Sequence, residues 1–162
     1  MKFAAIAALL TLASGSLYAQ NVEVKNAWVR ASVQGQKATG AFMQITASQP
    51  TTLVGAASPV AGVAEVHEMK MDGDVMRMRA LPQGLPLPAG KPVALTPGGY
   101  HVMLMDLNTT LPKDSTIPLT LVFKDAKGQE SRIELKLPVA TTAPGGAAPA
   151  APAAHGAAGH KH

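Results

Sequence analysis

Two histidines and six methionines crowd into one stretch of this chain. His67 and His101 are the only histidines outside a C-terminal tail, and Met69, Met71, Met76, Met78, Met103 and Met105 surround them, six of the eight methionines in 162 residues. Thioether sulfur is a soft, uncharged donor that suits Cu(I), binds zinc poorly and has almost no affinity for Mg or Ca. Neutral imidazole can complete such a set without a cysteine. The plainer explanation is that methionine fills irregular cores and the histidines are incidental, so spacing has to decide.

Asp72-Gly73 reads as a two-residue type I′ hairpin turn, because both central positions need positive φ and Asp-Gly tolerates it. With those two residues as the loop, Met69 faces Met76, Glu68 faces Arg77 and His67 faces Met78. Directly opposed side chains have Cβ atoms about 5 Å apart, close enough for an imidazole nitrogen and a sulfur to share one ion. The same register gives one face of sulfur and imidazole and a reverse face of charge. His101 and Met103 stand at i and i+2 of a strand and share a side, with Tyr100, Val102 and Leu104 turned toward the interior. Pro97-Gly98-Gly99 places His101 near a loop end, at a rim a partner can reach. The expected ligands are His67, Met78, His101 and Met103, an S₂N₂ set for Cu(I) that releases metal as the histidines protonate below about pH 6.

The elements that must carry these residues are strands. Leu119, Leu121 and Phe123 alternate with Thr120, Val122 and Lys124, Ile133, Leu135, Leu137 and Val139 alternate with Arg132, Glu134 and Lys136, and Asp125 to Gly128 forms the turn between them. Val22 and Val24 share one parity and Ala27, Val29, Ala31 and Val33 the other, which predicts a bulge near Asn26. Gly40 to Ala47 gives a further short strand. Prolines at 82, 86, 88, 92, 97, 112 and 118 punctuate connections, and no window sustains a helical period. Thirteen prolines and fifteen glycines with short strands predict an all-β fold, an antiparallel sandwich or Greek-key barrel.

Residues 1–19 read as a secretory signal, with Lys2, an apolar run from Phe3 to Ala13 and a cleavage site at Leu17-Tyr18-Ala19. The apolar run is too short to span a bilayer, so stable membrane insertion is not expected. A copper-binding β-domain is expected over 20–140. From Thr141 to His162 the residues are mostly Ala, Gly and Pro, a flexible tail bearing His155, His160 and His162. Cysteine is absent, which excludes disulfides, thiolate metal sites, cysteine nucleophiles, cysteine-linked lipid and blue-copper centres. A formal charge of +4 without a basic run argues against nucleic acid as a partner. No nucleophile motif, phosphate loop or three-ligand zinc signature marks an enzyme.

Five stretches together resemble the PCu(A)C family of periplasmic copper chaperones: Ala27-Trp-Val-Arg-Ala31, Ala38-Thr-Gly-Ala-Phe42, His67-Glu-Met69, Asp72-Gly-Asp-Val-Met-Arg-Met78 and Pro97-Gly-Gly-Tyr-His-Val-Met-Leu-Met105. The family's ligand pattern carries onto His67, Met78, His101 and Met103, with one extra residue in the connection before His101. The resemblance implies a cupredoxin-like fold and Cu(I) binding without enzymatic activity. It also implies a periplasmic location and delivery of copper toward the binuclear copper centre of cytochrome c oxidase, alongside a Sco-type protein. Some members carry a C-terminal extension that takes up Cu(II), and His155, His160 and His162 resemble one. Two other readings are a copper-buffering or tolerance protein and a metal-free β-sandwich accessory module.

Overall fold

A computed structural model describes residues 22–145. The signal segment and the tail histidines His155, His160 and His162 lie outside the described residues. Within them the chain is all-β, as its alternation predicts, and forms ten strands. In order these are β1 (Val22–Arg30), β2 (Ala38–Ala47), β3 (Thr51–Ala57), β4 (Ala61–Asp72) and β5 (Val75–Ala80), then β6 (Leu85–Leu87), β7 (Val93–Leu95), β8 (Tyr100–Leu107), β9 (Thr116–Asp125) and β10 (Glu130–Ala140). They join in the order β5-β4-β8-β7-β2-β1-β10-β9-β3-β6, with β8 also paired to β2. Pairing is antiparallel except between β1 and β10 and between β7 and β8.

Alternation fixes the core. Leu119, Leu121 and Phe123 of β9 and Leu137 and Val139 of β10 are buried with Val29, Ile45, Leu53, Val102 and Leu104. The β9–β10 hairpin forms as the alternation predicts, with Leu119 opposite Leu135 and Leu121 opposite Ile133. Its turn is held by the Asp125 carboxylate, which accepts from the amides of Lys127 and Gln129 at 2.8 Å, and Gly128 supplies the positive φ of 80°.

The predicted bulge in β1 falls where the parity slips. Lys25 pairs with Gln44 but Trp28 pairs with Phe42, and Asn26 between them has φ of 52°. Before the bulge Val22 and Val24 lean on the core; after it Ala27, Val29 and Ala31 do. The extra residue therefore sends Trp28 to the opposite face of the sheet, where it meets Phe42 with ring centroids 4.9 Å apart.

The connection before β8 holds more structure than its prolines suggest. Leu85–Leu87 pairs with β3 and Val93–Leu95 with β2, two three-residue strands too short for alternation to declare. Pro86 is tolerated because β6 is an edge strand, where a missing N–H breaks no ladder. Pro118 lies inside β9 opposite Lys136, beyond the part of β9 that β3 covers.

Candidate metal centre

The β4–β5 hairpin corrects one expectation. Its loop is Gly73-Asp74, not Asp72-Gly73, because Asp72 pairs with Val75. Gly73 has φ of 64° and Asp74 is not among the residues with positive φ, the pattern of a type II′ turn with glycine first. Moving the loop by one residue moves every partner by two: Met78 faces Met69, Met76 faces Met71, and His67 faces Ala80. A shift of two preserves the faces, so Met69, Met71, Met76 and Met78 still share His67's side. On the reverse face Glu68 meets Arg79 and forms an ion pair with it. Arg77 faces Lys70 and turns instead to Asp72, 2.9 Å away.

The histidines are brought together by a pairing between β4 and β8 that places His67 directly opposite His101, with ring centroids 5.8 Å apart. By the registers of β1, β2, β8 and β4, Trp28, Phe42, His101 and His67 form one row across the sheet, on the face opposite Val102 and Leu104. Both imidazoles are buried, at 7% and 6% exposure. Met78, a diagonal neighbour of His67, is 48% exposed and reaches over this row. Met103 stands one row further along β8, opposite Glu65 on one side and Gly40 on the other. A Cβ at Gly40 would lie 2.8 Å from the Phe42 ring, so glycine lets that ring fold down beside Met103's row as an apolar wall. Arg30 caps the ring's other side, 5.3 Å from its centroid.

The hydrogen bonds decide where the imidazole lone pairs lie. His101 Nδ1 is 3.1 Å from the Gly99 carbonyl, which can only accept, so Nδ1 carries the proton and donates it. In the neutral ring Nε2 is then a bare lone pair, and it lies 3.2 Å from the sulfur of Met78. A thioether has no proton to give either. Two facing lone pairs at that separation are the arrangement a cation would bridge. Burial lowers the His101 pKa, opposed by the Gly99 carbonyl and aided by the charges of His67 and Arg30, so the neutral, ligating form is favoured. His67 Nε2 lies 3.0 Å from a Glu65 carboxylate oxygen and donates to it, which leaves Nδ1 as a buried polar atom with no partner. A buried lone pair without a donor costs free energy unless something occupies it.

Glu65 and the Gly99 carbonyl are the functional groups that sequence reasoning missed. Glu65 sits two residues before His67 and so shares its face, a signal that strand periodicity alone contains. An acceptor on the outer nitrogen of a ligating histidine fixes its tautomer and raises its basicity. Among the described residues no group of three or more His, Cys, Asp or Glu side chains is placed to hold a metal ion. An ion between His101 Nε2 and Met78 would have to accept thioether sulfur, which selects a soft ion.

Known proteins resemble this chain in sequence and in fold. Residues 22–139 match the profile of the LpqE-like family. A protein of Leifsonia xyli subsp. xyli named "Putative lipoprotein Lxx21020" is 33% identical over 118 residues, 73% of this chain and 71% of the relative. The solution structure of Cu(I)-DR1885 from Deinococcus radiodurans is 28% identical, with a TM-score of 0.55 and coverage of 79% of this chain and 82% of that one. The apo PCuAC domain of PmoF1 is 25% identical over 73% of this chain and 93% of its own, at a TM-score of 0.55. The copper-bound PCuAC domain of PmoF2, at 24% identity and a TM-score of 0.58, covers 77% of this chain and 97% of its own and shares the fold. The resemblance to PCu(A)C proteins and the cupredoxin-like fold it implied are thus borne out.

Proposed function

The chain belongs to the LpqE-like family, and on that premise we propose that it is an exported metallochaperone that carries one Cu(I) on His67, Met78, His101 and Met103. The observation that supports this most is the meeting of a buried imidazole lone pair on His101 with the sulfur of Met78, beside the partnerless Nδ1 of His67. Both groups are ligands without a ligand's counterpart in the protein. The names of the solved neighbours, which specify Cu(I) or bound copper, point to the same cargo.

The architecture also suits transfer rather than storage. The imidazoles are held by hydrogen bonds to Glu65 and the Gly99 carbonyl, while the sulfur of Met78 rides on the exposed edge strand β5. A recipient can displace such a sulfur first and leave the rigid imidazoles for last. The recipient we propose is the binuclear copper centre of cytochrome c oxidase, met in the periplasm alone or with a Sco-type protein. The tail histidines His155, His160 and His162 would supply a Cu(II) site whose effective concentration at the domain is raised by tethering.

Competition against a chromophoric Cu(I) chelator tests the site. The protein should withdraw one equivalent of Cu(I), and His101→Ala should weaken binding by about a hundredfold or more, since a rigid ligand and its supporting contact go together. Failure to compete, or indifference to His101→Ala, would remove the copper reading. Impaired oxidase assembly at low copper in a strain lacking the gene supports delivery. Copper sensitivity with normal oxidase activity contradicts it.

A further inference from the structure

Resting on the copper reading above, we infer that Met71 and Met76 form a second, outer Cu(I) site at the tip of the β4–β5 hairpin, through which the ion reaches or leaves the inner centre. The two residues are directly opposed. In a two-residue hairpin the pair flanking the turn is the hydrogen-bonded one, so by alternation Met71 and Met76 occupy the next pair, where side chains come closest. The same alternation gives the same closeness to Met69 and Met78. Two pairs of thioethers thus stand in successive rungs on one face, and the inner rung includes the sulfur that touches His101.

Packing does not account for this choice of residue. Met71 is 55% and Met76 45% exposed, and every residue of β5 is exposed, so neither fills a core gap. Docking surfaces enrich Tyr, Trp, Phe and Arg alongside methionine, whereas no Phe, Tyr or Trp lies in β4 or β5. Here the four positions of this face nearest the turn, Met69, Met71, Met76 and Met78, are all methionine, and the charged residues Glu68, Lys70, Asp72, Arg77 and Arg79 are on the reverse. What the four positions share is soft sulfur. Two opposed thioethers, with Met69 as a third, match the low coordination number Cu(I) accepts and exclude hard divalent ions. No redox step is involved: the ion keeps its charge while Met71 and Met76 give way to Met78 and then the histidines.

The test uses full-length protein labelled with ¹³C at the methionine methyl groups, titrated anaerobically with Cu(I) alone. In the unmodified protein the first equivalent should move the methyl signals of Met78 and Met103, and the second those of Met71 and Met76. In His101→Ala, Met71 and Met76 should respond from the first equivalent. Met71→Leu/Met76→Leu keeps size and apolarity; it should hold the first equivalent within about twofold of the original affinity yet take Cu(I) from a chelator about tenfold more slowly. Signals of Met71 and Met76 that stay fixed through two equivalents in both proteins would overturn the outer site, wherever the second ion goes. Movement of Met71 and Met76 with Met78 and Met103 unmoved would instead overturn the inner centre and sustain the outer one.

Discussion

Two hairpins of this protein, β9–β10 and β4–β5, spend their side chains in opposite ways. In β9–β10 the inward positions Ile117, Leu119, Leu121, Phe123, Leu137 and Val139 are buried and Ile133 and Leu135 partly so, and the register is fixed twice, by the turn and by the face that must leave water. In β4–β5 the face near the turn is sulfur and Met71, Met76 and Met78 stay about half exposed, so the turn chiefly selects the partners. The first hairpin holds the molecule together. The second carries the proposed site, and its exposure is what would let a sulfur exchange an ion for solvent.

That contrast predicts where substitutions will be felt. Leu121→Ala, at a site with no exposed surface, should destabilise the fold by about 2–5 kcal/mol. Met76→Leu should change stability by no more than about 0.5 kcal/mol, as for an ordinary surface position. Urea denaturation of the two variants measures both, and a comparable loss from Met76→Leu would show that the exposed hairpin carries packing after all. Next in size is Glu65→Ala, which removes the acceptor that holds His67 and should weaken Cu(I) binding about tenfold while leaving stoichiometry at one. An unchanged affinity would mean that His67 needs no such support.

The smallest effect concerns pH. Burial holds the His101 pKa below its ordinary value near 6.5 in the folded protein. On acidification the unfolded chain takes up this proton first, so the contribution of His101 to stability is complete above about pH 6.5 and shrinks as pH falls toward the lowered folded value. Metal-free protein should therefore lose denaturation midpoint steadily below pH 6.5, and His101→Gln should flatten that slope. The same shift lets His101 stay an uncharged ligand in mildly acidic surroundings.

How much of this could be read from the sequence follows the same division. Where burial and turn chemistry agree, in β9–β10 and at the Asn26 bulge, local pattern sufficed. His101 and Met103 share a face by strand periodicity, and that too was legible. The pairing of His67 with Met78 was misplaced because Asp-Gly and Gly-Asp each make a good hairpin turn, type I′ or II′, and an exposed strand offers no hydrophobic pattern to arbitrate. The opposition of His67 and His101 was beyond local reading, since it arises from a pairing of β4 with β8 across the intervening strands. Glu65 was legible in principle: two residues from His67 on a strand, it could only point the same way.

In the proposed site imidazole and thioether hold one ion together. Copper X-ray absorption on the full chain loaded with one equivalent of Cu(I) reads this directly. Both nitrogen and sulfur scatterers are expected, with the sulfur contribution reduced in Met78→Leu and the nitrogen contribution reduced in His101→Ala. A shell of nitrogen and oxygen alone, unchanged by Met78→Leu, would contradict it.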